Sequence, residues 1–127
     1  MAGDLVRLCV RCDEFAPKAV RDAISRIDGP GWVLGDAMLV ASELVSNAVR
    51  HSLCTEDDLL AVRIHVDGSL RISVIDPGGS GRVAEIVNRP PPLGGLGLKV
   101  VNEVAERWGS GRAPDGYEVW AELPVAS

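Results

Sequence analysis

Glu43-Leu44-Val45-Ser46-Asn47-Ala48-Val49-Arg50-His51 is the stretch on which the reading of this chain turns. It sets a carboxylate, a carboxamide and an imidazole at i, i+4 and i+8. On a helical period of about 3.6 residues these three share one polar stripe. Leu44, Val45, Ala48 and Val49 fall beside the stripe and can face a core. Glu43 has the chemistry of a general base or of an outer-shell partner to a metal, and Asn47 offers an oxygen suited to Mg²⁺. A polar stripe of this kind most often just faces water, so it needs support from elsewhere in the chain.

Working outward, the same periodicity predicts a helix over Val33 to His51, with Leu34, Ala37, Met38, Ala41, Leu44, Val45 and Ala48 buried. Asp28-Gly29-Pro30-Gly31 breaks the chain before it. Farther upstream, Val6, Leu8, Val10 and Cys12 alternate as a strand over residues 4–12. Asp13 is placed to cap a second helix, with Pro17 in its first turn and Val20, Ala23, Ile24 and Ile27 on its apolar side. Downstream, Val62, Ile64 and Val66 are answered by Leu70, Ile72 and Val74 across Asp67-Gly68, which reads as a β-hairpin. A Gly- and Pro-rich segment follows, and an irregular stretch of that length inside a compact domain is usually functional. A helix from Leu96 to about Arg107 comes next, with Leu98, Val101 and Val104 or Ala105 inward. Two strands joined across Ala113-Pro114-Asp115-Gly116 end the chain. The expected architecture is α+β: one domain over residues 1–127, a two-layer sandwich with a mixed sheet and its helices on one face.

Composition removes several classes. A 127-residue chain that is 46% hydrophobic can bury a core without staples and is not disordered. No apolar run reaches the length of a membrane span, and the N-terminus lacks a signal-peptide layout, so the expected location is cytoplasmic with no membrane partner. A formal charge of −5 and a pI near 4.9 argue against a nucleic-acid partner. Three cysteines in such a chain suggest reduced thiols. Cys9 and Cys12 lie three apart on a strand, hence on opposite faces, and cannot share a ligand.

Two glycine-rich segments carry the support that the helix needs. Asp76 ends a strand and is followed by Pro77-Gly78-Gly79-Ser80-Gly81. A carboxylate there can accept a hydrogen bond from an exocyclic amine such as adenine N6, and the glycines let a flat base approach the backbone. The plainer alternative is a tight turn after a strand. Gly94-Gly95-Leu96-Gly97 opens the last helix, whose free amides and dipole attract an anion such as phosphate. It is no Walker loop, since Lys99 sits inside the helix.

Taken together and in order, "ELVSNAVRH", "DPGG" and "GGLGL" resemble the Bergerat-fold, or GHKL, ATPase superfamily of gyrase B and sensor histidine kinase ATP domains. Nearer still is the likeness to the small single-domain branch of bacterial anti-sigma factor serine kinases. The resemblance covers nearly the whole chain, through "ERWG…VWAELP". It implies that Glu43 acts as general base or positions the nucleophile, and that Asn47 coordinates Mg²⁺ bridging the phosphates of ATP. It implies Asp76 on adenine N6 with Gly78 beside the base, and Gly94, Gly95, Leu96 and Gly97 at the phosphates. The segment from about Arg82 to Leu93 then corresponds to an ATP lid. Arg50 and His51 are given only a structural role at the helix end.

Two departures bear on activity. The family's D-x-G-x-G becomes Asp76-Pro77-Gly78-Gly79-Ser80 here, and Leu93 stands where some kinases of this branch carry arginine. Arg82 and Arg89 are then the only cations between Asp76 and Gly97. Arg89 is a candidate for the γ-phosphate, and the alternative is a solvated loop arginine. The implied function is an Mg-ATP-dependent serine/threonine kinase that acts on a small antagonist protein and holds a sigma factor. The second reading is an ATP/ADP-binding regulatory module without efficient transfer. The expected protein partners are a sigma factor and an anti-anti-sigma protein, and a homodimer is left open.

Overall fold

Asp67 and Ser69 face each other across Gly68, whose φ of +79° closes the tight turn that the sequence announces. The computed structural model describes residues 3–27, 31–51, 55, 57–77, 96–114 and 116–125. Along the chain these form β1 (Gly3–Arg11), α1 (Ala16–Ile24), α2 (Gly31–His51), β2 (Leu59–Asp67), β3 (Ser69–Asp76), α3 (Leu96–Val104), β4 (Arg107–Ala113) and β5 (Gly116–Pro124). The strands make one sheet in the order β1-β2-β3-β5-β4. In the hairpin Val62 stands opposite Val74, Ile64 opposite Ile72 and Val66 opposite Leu70, the register expected from their alternation.

The α+β class and the single helical layer are as expected; the mixed sheet is not. All four described pairings are antiparallel. The crossover between β3 and β4 does run those two strands the same way. They never meet, because β5 folds back from β4 and inserts between them.

Even-numbered positions of β2 and β3 point toward the helices. Leu60, Val62, Ile64, Leu70, Ile72 and Val74 are buried there, with Ala121 and Leu123 of β5. Val20 and Ile24 of α1, Val40, Ala41, Leu44 and Val45 of α2, and Val101 of α3 close the core from the other side. Each large aliphatic side chain removed from water contributes about 1.5–3 kcal/mol. Leu34 and Met38 are only partly buried, at the margin of the same cluster.

Three boundaries move for local reasons. Asp13 does not cap α1: its Oδ1 accepts from the Phe15 amide at 2.9 Å, one residue before the helix begins. Phe15 is the N-cap, with Pro17 just inside, so one amide that a cap would serve does not exist. Helix α2 starts at Gly31, before Val33. Helix α3 stops at Val104 rather than Arg107, because the Glu106 amide donates to the Glu122 carbonyl (2.8 Å) and Arg107 joins the sheet.

Cys9 is a free, exposed thiol. Cys12 is buried just past β1 and is disulfide-bonded. That overturns the expectation of reduced thiols for Cys12 but not for Cys9. Because β1 ends at Arg11, the two do not share a strand as expected; one is exposed and the other buried. Among the described residues, no helix is long and apolar enough to cross a membrane.

Candidate functional site

Helix α2 packs against α1, α3, β3 and β5, so little of its circumference stays free. Its polar stripe is not uniformly exposed. Glu43 is half-buried, whereas Asn47, one turn later, is only 7% exposed. The stripe therefore sinks into the protein between Glu43 and Asn47. The Asn47 carboxamide oxygen is buried and has no hydrogen-bond partner among the described residues. An unmet buried acceptor costs about 1–3 kcal/mol, so such an atom asks for a function. Ser42, also buried, is satisfied by donating to the Leu39 carbonyl at 3.1 Å. Arg50 is exposed, and His51 is the last residue of α2, its side chain outside the described residues.

Asp76 ends β3 opposite Tyr117 of β5 and is 3% exposed. By the strand period it lies on the same side of the sheet as Ile72 and Val74, the side that α2 covers. Beside it is a feature that the sequence reading passed over as an ordinary turn residue. Gly116 has φ +148°, and a Cβ built on it would stand 2.0 Å from the Asp76 carbonyl oxygen. The only signal in the sequence was Asp115-Gly116 at a hairpin.

Leu96 and Gly97 form the first turn of α3, where the helix's unmatched amides lie. Val101, further along, is fully buried and α3 packs on α2. Thus Glu43, Asn47, Asp76 and the start of α3 all belong to the helix-bearing side of the sheet. Gly78, Arg89, Gly94, Gly95 and the expected lid over about 82–93 lie outside the described residues.

The other side of the sheet holds a separate set of charges. Asp4 lies 2.8 Å from both Arg63 Nε and His65 Nδ1 and 3.5 Å from Arg7. The His65 and Arg63 hydrogen bonds hold its carboxyl below the usual carboxylate value. Glu122 receives Arg107 and Arg71, the latter at 3.2 Å, and the Arg107 bond first of all keeps its carboxyl low. Reciprocally, Glu122 raises Arg107. Arg71 also covers Trp120, 4.3 Å from the ring centroid. These groups neutralise one another, and no nucleotide chemistry is needed to explain them.

Among the described residues no three His, Cys, Asp or Glu side chains gather as a metal cage. The Asn47 oxygen, without a partner among the described residues, still fits a magnesium site. That small, hard ion takes one or two protein oxygens and fills its octahedron with phosphates and water.

Residues 35–127 match the family described as histidine kinase-, DNA gyrase B-, and HSP90-like ATPase. Among solved structures, the chain is similar to the RsbU and RsbW domains of Rv1364c from Mycobacterium tuberculosis. The TM-score is 0.60 at 20% identity, and the match covers 94% of this chain and 32% of that one. The chain thus spans about a third of that protein's length, and the likeness is one of fold. No curated protein matches the sequence.

Proposed function

The chain belongs to the histidine kinase-, DNA gyrase B- and HSP90-like ATPase family, and on that premise we propose that it is a serine/threonine kinase of the anti-sigma factor type. It would take the γ-phosphate from Mg-ATP and place it on a small antagonist protein in the cytoplasm, and it would hold a sigma factor when the antagonist is absent. The observation that carries the reading is the buried Asn47 oxygen, without a hydrogen-bond partner among the described residues, one helical turn beyond the half-buried Glu43.

Phosphoryl transfer asks a protein mainly for positioning and charge neutralisation. Asp76 accepts from the exocyclic amine of adenine and fixes the nucleotide at one end. The amides around Gly95, Leu96 and Gly97 receive phosphate oxygens, aided by the positive end of α3. Asn47 would hold Mg²⁺, whose charge would offset that of the phosphates. Glu43 accepts the proton of the attacking hydroxyl as its oxygen bonds to the γ-phosphorus; the bond to the β–γ bridging oxygen breaks and ADP leaves. Arg89 contributes a guanidinium toward the γ-phosphate in place of the arginine that Leu93 replaces.

The departure at Leu93 favours a second reading, an ATP-binding regulatory module that switches partners without efficient transfer. Incubation with γ-labelled ATP and a candidate antagonist protein separates the two. Label on a serine or threonine of the antagonist supports the kinase; tight nucleotide binding with no labelled protein supports the module. Absence of nucleotide binding in calorimetry removes both.

A further inference from the structure

Gly116 opens β5 at φ +148°, a conformation that L side chains rarely adopt. The space around it is equally restrictive. An added Cβ would meet the Asp76 carbonyl oxygen at 2.0 Å, the Asp76 carbonyl carbon at 2.9 Å and Pro77 Cα at 2.9 Å. All three are backbone atoms, so no side-chain rotation relieves the clash. The next residue, Tyr117, is the ladder partner of Asp76. The start of β5 is therefore pressed directly against the peptide that joins Asp76 to Pro77.

The other glycine with positive φ behaves differently. Gly68, at +79°, closes the β2–β3 turn with nothing within 4 Å of its missing Cβ. Gly109 has a neighbour at 3.0 Å, but that neighbour is the Trp120 side chain on the opposite face of the sheet. Of the glycines with described surroundings, only Gly116 combines positive φ with backbone contact, and the backbone it touches carries Asp76.

We infer that Gly116 is a positioning residue for recognition of the nucleotide base. By letting β5 seat against the Asp76–Pro77 peptide, it fixes the direction of the Asp76 carboxylate and thereby sets preference for a 6-aminopurine over a 6-oxopurine. The inference rests on the reading of Asp76 as the adenine acceptor. Adenine N6 donates to a carboxylate, whereas the O6 of guanine presents a second acceptor that repels it. The distinction depends on direction, because a hydrogen bond weakens steeply as it leaves its line. Any side chain at 116 must displace the Asp76–Pro77 backbone, and the carboxylate moves with it.

The test compares Mg-ATP and Mg-GTP affinities by calorimetry for the full chain and for Gly116→Ala, Gly68→Ala and Asp76→Ala. Gly116→Ala should lose about tenfold or more of the ATP-over-GTP preference, the loss expected for one charge-assisted hydrogen bond. Gly68→Ala should lower the melting temperature and keep the preference. A folded Gly116→Ala protein with unchanged preference overturns the inference. Unchanged preference in Asp76→Ala overturns instead the adenine reading beneath it. Should Gly116→Ala fail to fold, the unaltered protein decides. ATP should displace the Gly116 and Tyr117 amide resonances and leave those of Gly68 and Ser69 in place. Undisturbed Gly116 and Tyr117 resonances with ATP bound overturn the inference.

Discussion

Glu43 and Asn47 stand one turn apart on α2, and the helix buries the second more deeply than the first. The difference suits two jobs. A group that exchanges protons with an incoming hydroxyl must be reached from outside, whereas a ligand to a phosphate-bound metal works best when fixed. Asn47→Ala should accordingly lose the magnesium-dependent part of ATP affinity. Titrations with and without magnesium check this, and equal magnesium dependence in the variant would return Asn47 to a structural role.

Glu43→Ala should bind Mg-ATP nearly as the parent does and lose phosphoryl transfer by about 10²–10⁴-fold. The measurement is the single-turnover rate of antagonist labelling at saturating ATP. A rate equal to the parent's would make Glu43 a solvated helix residue.

Asp76→Ala should weaken ATP at least about tenfold, because a hydrogen bond to a charged acceptor contributes roughly 1.5–3 kcal/mol. Calorimetry of ATP and of tripolyphosphate tells the base from the phosphates. Loss for ATP alone supports the adenine assignment, and equal loss for both contradicts it.

Arg89→Ala should weaken ATP much more than ADP if its guanidinium meets the γ-phosphate. Matching losses for the two nucleotides, or none for either, would leave it a solvated arginine.

Acid should destabilise the protein through the face of the sheet away from the helices. Glu122 and Asp4 both have folded pKa values below their ordinary 4.5 and 3.8. In that range the unfolded chain binds more protons than the folded one, so stability falls as pH falls. The ion pairs contribute fully above about pH 4.5 and fade as each carboxyl is protonated at lower pH. Glu122→Gln should lower the melting temperature at pH 7 and flatten its decline between pH 5 and pH 3. An unchanged decline would mean that the Arg107 and Arg71 contacts do not hold in solution.

The hairpin and the burial of α2 were legible because each residue's local preference agrees with its long-range partner. Val62, Ile64, Ile72 and Val74 alternate, and Gly68 supplies the turn. The end of α3 was not, since the Glu106 amide is claimed by Glu122, a residue 16 positions on and invisible to any local pattern. Nor was the strand order, because nothing in β5 itself says that it enters between β3 and β4. At the candidate site, residue type and spacing singled out Glu43, Asn47 and Asp76, and the structure sets all three on the helix-bearing side of the sheet. The depth of Asn47 and the pressure of Gly116 on Asp76 arise only when distant segments are brought together.

The central place of β5 has a consequence for biosynthesis. A ribosome delivers β1, both long helical segments and the β2–β3 hairpin well before it delivers the strand that completes the sheet. At about 5–20 residues per second, Pro77 through Pro124 take roughly 2–10 s to appear. During that interval the free edge of β3, with Ile72 and Val74, can pair with any passing strand. Asp76 meanwhile lacks both Gly116 and Tyr117, so on the proposed reading of Asp76 the nascent chain cannot hold adenine in the finished geometry. On that reading nucleotide capture is a late event of synthesis, and a ribosome stalled before Gly116 would carry a chain blind to ATP.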